Sequence, residues 1–311
     1  MKWNIIGTAA LAAIAAGSVG VSYKIFEKIV VRHDEKKAAD MDMGTSWEQY
    51  APLITESREW ITEHAEQHYI TTPDGIRLSG KYITAAVPTH KTVIAFHGYR
   101  SCGTYEFSVI TDMYHKHNYN VLLVDNRAHG ESEGTYIGFG VLDRYDVCEW
   151  AKYVSEQIDP EAVIYLHGIS MGGASVLMAS CLDLPDNVNG IISDCAFTSA
   201  KDIMESVLSK KSKLPIKPFI QGASGICKKI AGYSFGQAST LDAVQKTSLP
   251  ILFIHGSADT FVPPEMTQRN YDACVSEKQL VMIEGAGHAE CFYHSPELYE
   301  KSVFGFIDNI K

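Results

Sequence analysis

A single serine sits where the apolar run AVIYLHG (162–168) gives way to the small-residue run MGGASVLMAS (171–180), enclosed as Gly168-Ile169-Ser170-Met171-Gly172. A serine hydroxyl is a poor nucleophile until a base takes its proton, and that base needs a carboxylate to hold its tautomer. Gly-x-Ser-x-Gly between a strand and a helix meets the geometric half of this demand. The strained turn projects the hydroxyl from the sheet edge, and the two glycines omit the Cβ atoms that would strike neighbouring chain. The helix beginning at Met171 aims free N–H groups and its positive end at the same spot. The chemistry that follows is acyl transfer through a covalent acyl-serine.

The partners are expected after the serine, on loops that follow later strands. Asp259 comes just past PILFIHG (250–256) and His288 just past QLVMIEG (279–285). Both positions are carboxyl ends of parallel strands, where sites in α/β folds are built. Asp194, at the end of the preceding strand, is the other candidate for the acid. His97, His167 and His255 each precede a glycine at a strand end and come too early to reach over as the base. A tetrahedral intermediate also needs two preorganised N–H donors, each costing about 2.7–4 kcal/mol when removed. One is the amide of Met171. The other is assigned to Tyr99, where Gly98 lets the backbone approach closely, and the Tyr99 ring either touches the acyl group or simply packs.

The elements that must carry these groups are legible. TVIAFHG (92–98), NVLLVDNRAHG (120–130), AVIYLHG, GIISDCAF (190–197), PILFIHG and QLVMIEGAGH (279–288) are strand-like apolar runs separated by helix-length segments such as 140–158. Continuous apolar strands alternating with helices mean a parallel sheet covered on both faces. HYITTPDGIRLSGKYITA alternates around Asp74-Gly75 and predicts an antiparallel hairpin at the front, making the sheet mixed. About fifty residues separate the strand ending near Phe197 from the one starting at Pro250. A connection that long is read as a lid, at about 200–249, lying across the mouth of the site. Its Ile203, Met204, Val207 and Leu208 recur at helical spacing and, with Ile216, Phe219 and Ile220, either line an acyl pocket or pack in the core. Its lysines Lys201, Lys210, Lys211, Lys213, Lys217, Lys228 and Lys229 read as solvated faces or as a surface for anionic groups.

In family order, the pieces FHGYRS, DNRAHGES, GISMGG, HGSADTFVP and GAGHAE resemble the α/β-hydrolase superfamily over residues 67–311. The sequence looks most like membrane-anchored bacterial serine hydrolases of the S33-peptidase-like or Bem46-like kind. The resemblance implies an α/β-hydrolase fold, a Ser170–Asp259–His288 triad, an oxyanion hole of Tyr99 and Met171, and no metal or organic cofactor. It also implies that DNRAHGES braces the site and does not react. It supplies no substrate, because such labels cover esterases, thioesterases, lipases and peptidases alike.

At 311 residues, 46% hydrophobic, the chain can bury a large core, and a net charge of -10 without a Lys/Arg run argues against nucleic acid. Seven scattered cysteines with no C-x-x-C read as small buried hydrophobes. Residues 5–23 carry no charge, enough to cross ~30 Å of hydrocarbon as a helix. Residues 1–30 are therefore expected to form a membrane anchor, with a cleaved signal as the alternative, and 31–66 a polar helical stalk. The catalytic part is expected outside the cytoplasm; a cytoplasmic-facing or secreted form is the alternative, because Lys24, Lys28 and Arg32 after the segment outnumber the lone Lys2 before it. On this reading removal of residues 1–30 leaves an active enzyme. The expected activity is hydrolysis of small or lipid-like carboxylic esters or thioesters. A peptidase releasing N-terminal residues and a non-catalytic anchored binding protein are the alternatives. The first would need a carboxylate near the site, and the second normally loses a triad residue.

Overall fold

Successive side chains of a strand point to opposite faces of a sheet, and the central strands of this protein use that alternation to build two cores. The computed structural model describes residues 17–33, 47–212 and 215–310. In β3 (Lys91–Phe96), Ile94 and Phe96 enter the core on one face while Val93 and Ala95 enter the other. In β4 (Asn120–Val124), Leu122 and Val124 join the first core and Val121 and Leu123 the second. Both faces are covered, which is why these strands read as unbroken apolar runs.

The sheet has eight strands in the order β1-β2-β4-β3-β5-β6-β7-β8. β1 (Glu66–Thr71) and β2 (Arg77–Ile83) form the expected hairpin, turning at Gly75 with φ 84°. β2 joins β4 antiparallel, and β3, β4, β5 (Val163–Ile169), β6 (Val188–Asp194), β7 (Ile251–Gly256) and β8 (Lys278–Ile283) run parallel. The mostly parallel sheet flanked by helices matches the expected class.

Helices fill the intervals. α1 spans residues 17–30, α2 Ala51–His64, α3 Gly103–Glu106, α4 Ser108–Lys116, α5 Asp143–Tyr153 and α6 Met171–Ala179. Between β6 and β7 the long connection folds into α7 (Ala200–Lys211), α8 (Lys217–Ile230) and α9 (Thr240–Val244). Ser199 caps α7 by accepting the Asp202 amide. α10 (Pro264–Ala273), α11 (Cys291–His294) and α12 (Pro296–Asn309) complete the chain.

The amino-terminal segments depart from the expected stalk. Phe26 and Val30 of α1 are buried in one core, and Ile61 of α2 in the other. α2 is anchored by the Tyr50 hydroxyl, which donates to Glu290, and by the Trp47 ring packed edge-on to Tyr293. Periodic apolar residues in a polar stretch were too sparse to announce this docking; burial against the sheet supplies it. Most of the apolar run 5–23 lies outside the described residues. Among the described residues no helix is long and apolar enough to cross a membrane. All seven cysteines are free, five of them buried.

Candidate active site

The corner between β5 and α6 is built by close packing. A Cβ on Gly172 would lie 1.8 Å from the Phe96 carbonyl oxygen, and one on Gly168 would lie 2.3 Å from Gly172 backbone. The turn is therefore pressed against the end of β3. Ser170 occupies it at φ 54°, ψ -111°, a conformation that costs a residue with a Cβ on the order of 1–3 kcal/mol. Its amide donates to the Asp194 carbonyl at 2.8 Å, which ties the strained residue to β6.

The structure brings Ser170, Asp259 and His288 together from three loops. Ser170 Oγ lies 3.0 Å from His288 Nε2, and His288 Nδ1 lies 2.7 Å from Asp259 Oδ2. All three are at most 5% exposed. The other oxygen of Asp259 accepts the amides of Phe261 at 2.8 Å and Val262 at 2.9 Å. Burial alone would raise the Asp259 pKa, but His288 and His255 outweigh it and hold the carboxyl well below the usual carboxylate range. An acid kept ionised against a histidine Nδ1–H fixes that ring as an acceptor at Nε2, facing the serine. Asp194 is not so placed. Burial pushes its carboxyl up to about 6, against the lowering effect of Cys291, Tyr299 and the two histidines.

His255 was set aside as a base, and it does not approach the serine. It serves the acid: Nε2 lies 3.1 Å from Asp259 Oδ2 and 3.0 Å from the Val262 carbonyl, while Nδ1 meets Thr267 at 2.6 Å. Spacing to Asp259 (i, i+4 across a turn) was the available signal. Cys195, Asp259 and His288 also bring metal-ligand atom types within 4.8 Å of one another. Burial raises the Cys195 thiol far above its ordinary pKa, and the other two atoms are engaged with each other, so the trio fits a hydrogen-bonded triad better than a metal site.

The Gly98–Tyr99 turn lies beside the serine, since a Cβ on Gly98 would come within 3.2 Å of Ser170 Cβ. Met171 opens α6, where the first amides of a helix have no partner within it. The turn is braced from two sides. Glu106, missed in the sequence because a glutamate in a short helix reads as solvated, is buried and its carboxylate accepts the Gly98 amide. Burial pushes Glu106 up to about 7 despite that hydrogen bond and one from Ser101. On the other side, Asn126 Nδ2 donates to the His97 carbonyl at 2.7 Å, and His129 Nε2 accepts the Arg100 amide at 3.0 Å. Burial holds His97 down to about 4 and His129 down to about 3, so both stay neutral acceptors. DNRAHGES thus frames the turn, with Arg127 bound to Asp146 through two 2.6 Å contacts and to Asp74 of the hairpin at 3.0 Å.

A cleft opens over Ser170. Ile203, Met204, Val207 and Leu208 of α7 line one wall; Tyr99, Phe139, Phe197 and Phe261 line the rest, together with Ile29 of α1. Phe219 and Ile216 are not among its walls, and Ile220 is buried in the core. The lid lysines behave mostly as solvated groups. Lys210 instead donates to the Thr260 carbonyl at 2.7 Å, fastening α7 to the loop that bears Asp259. Lys213 lies outside the described residues.

Comparison with known proteins agrees with this geometry. Residues 87–231 match the family model described as serine aminopeptidase, S33. YqkD of Bacillus subtilis is 27% identical over 98% of this chain and 96% of its own. The α/β-hydrolase domain-containing protein WAV2 of Arabidopsis thaliana is 27% identical over 78% of each. Among solved structures, the Pyrococcus furiosus esterase Pf2001 superimposes with a TM-score of 0.67 at 25% identity, over 81% of this chain and 93% of that one. These likenesses support hydrolase activity, and with the eight-stranded sheet they lead to one assignment: the chain belongs to the α/β-hydrolase superfamily.

Proposed function

We propose that the protein is a serine hydrolase of carboxylic esters or thioesters, acting through an acyl-enzyme on Ser170. The observation that carries this reading is the unbroken hydrogen-bond line from Ser170 Oγ through His288 to Asp259, opening into an apolar cleft. His288 Nε2 accepts the Ser170 proton as Oγ attacks the acyl carbon. The imidazolium so formed is stabilised by ionised Asp259, and the amides of Tyr99 and Met171 take the oxyanion. His288 then gives the proton to the departing alkoxide or thiolate. A water, deprotonated by the same nitrogen, releases the acid and restores the serine. No cofactor enters this cycle.

The cleft walls favour an acyl group over a peptide amino terminus. None of the described residues lining the cleft carries a carboxylate to receive an ammonium group, although the matching family model is described as an aminopeptidase. A binding protein with no turnover is disfavoured because serine, histidine and acid are all present and in contact. Localisation at a membrane through the apolar residues ahead of the buried part of α1 is part of the proposal, tested by whether full-length protein stays in membranes after a carbonate wash. For the chemistry, Ser170→Ala is expected to keep the fold and lose about 10⁴–10⁶ in kcat on p-nitrophenyl esters, together with fluorophosphonate labelling. Undiminished ester hydrolysis by the purified variant sinks the proposal.

A further inference from the structure

Helix α1 touches the machinery at three places. Ile29 forms part of the cleft wall, with Tyr99, Phe139 and the α7 side chains. The Tyr99 hydroxyl donates to the Ile29 carbonyl at 2.8 Å, and the Arg100 guanidinium donates to the Lys28 carbonyl. At the lid, a Cβ on Gly222 of α8 would lie 2.4 Å from Ser22 Oγ, so α1 and α8 are in close contact.

Physical chemistry explains why these contacts form. The last four carbonyls of a helix lack partners within it, and cations are favoured at that negative end. α1 ends at residue 30, and the Tyr99–Arg100 turn provides the missing donors, one of them a guanidinium. Beyond the helix the chain is pinned again. The Ile137 amide donates to the Val30 carbonyl at 2.8 Å, and the Arg32 amide to the Thr135 carbonyl at 2.8 Å. The Arg32 side chain donates to the Ser132 and Gly130 carbonyls at 2.5 and 2.6 Å. Phe26 and Val30, at most 2% exposed, hold the inner face.

We propose that α1 is a specificity wall of the acyl cleft, in which Ile29 limits how long or bulky an acyl group can lie over Ser170. The proposal rests on the ester-hydrolase reading above. A β-branched side chain held by a helix that is fastened at both its inner face and its carboxyl end cannot swing aside, so its volume is subtracted from the cleft. The wall is therefore supplied by a segment that precedes the sheet in sequence, and not by the lid alone.

The test uses the full-length chain and p-nitrophenyl esters from two to sixteen carbons. Ile29→Trp is expected to lower the ratio of kcat/KM for the eight-carbon ester over the two-carbon ester about tenfold or more, the scale of lost or clashing methylene contacts in an apolar pocket. Ile29→Ala is expected to move the optimum the other way, towards longer chains. A general loss of stability would not produce shifts of opposite sign from one position. Val19, on the same helix and 62% exposed, provides the control: Val19→Trp is expected to keep the wild-type profile. If Ile29→Trp and Ile29→Ala, both folded by thermal melt and both labelled at Ser170, give the profile of Val19→Trp, the specificity wall is overturned and the hydrolase reading stands. If the wild-type chain cleaves no ester in the panel and Ser170 takes no fluorophosphonate, both fall.

Discussion

Asp259 accepts from four groups at once, two histidines and two backbone amides, and this makes it the most heavily committed side chain of the site. Asp259→Asn keeps the shape but presents an amide N–H to His288, favouring the wrong tautomer, and is expected to reduce kcat by about 10⁴. Asp194→Asn is expected to keep most of the rate, because the Asp194 carboxyl lies beside Cys291 and Tyr299 while its backbone carbonyl holds the Ser170 amide. The reverse outcome in steady-state kinetics would reassign the acid. Glu106 makes a different prediction. Its folded pKa, about 7, lies above the ordinary carboxyl value of 4.5. A carboxyl with a raised folded pKa contributes stability that is present below the unfolded pKa and lost as pH rises through the folded one. Glu106→Gln retains an acceptor for the Gly98 amide without that penalty. Its Tm relative to wild type is therefore expected to rise from pH 5 to pH 8, and a difference independent of pH would show that the carboxyl is not held in this way.

On the proposed chemistry, the corner governs rate and the lid specificity. Gly172→Ala forces a Cβ to within 1.8 Å of the Phe96 carbonyl oxygen, so β3 and α6 must separate. Lower Tm and loss of fluorophosphonate labelling are expected together, because the same displacement moves the oxyanion turn away from the serine. In the lid, Met204 faces the cleft and Phe219 does not. Met204→Ala is expected to shift the preferred acyl length while acetate ester hydrolysis persists. Phe219→Ala is expected to leave chain length unchanged, because of the two alternatives read for these residues the pocket holds for Met204 and not for Phe219. A chain-length shift in the Phe219 variant, measured on the same ester panel, would mean that α8 reaches the substrate.

For the whole molecule, the two amino-terminal helices close the two faces of the sheet. Burial of a large apolar side chain contributes about 1.5–3 kcal/mol, and Phe26 and Val30 of α1 are both in the core. A chain beginning at residue 34 is therefore expected to melt at a markedly lower temperature than the full chain and to bind a hydrophobic dye. This replaces the expectation that residues 1–30 are dispensable. A truncated protein with unchanged Tm in a calorimetric scan would show that α1 adds little to the fold.

Much of this protein is legible along the chain because it is written in local terms. The alternation of apolar runs with helical segments, the hairpin at Asp74-Gly75 and the glycines around Ser170 each depend on neighbours only a few residues away. Asp259 and His288 were legible for a related reason: parallel strands deliver their carboxyl ends to one edge, so the loops after them must meet. Glu106 and Ile29 were not legible, and His255 offered only its i, i+4 spacing to Asp259. Glutamate in a short helix, histidine before a glycine and isoleucine near the amino terminus have unremarkable local settings. Their partners are Gly98, Asp259 and the cleft over Ser170, groups brought to them by packing. Desolvation and contact between distant segments decide such roles, and both arise only when the sheet has closed its two cores and the first helix has settled against one of them.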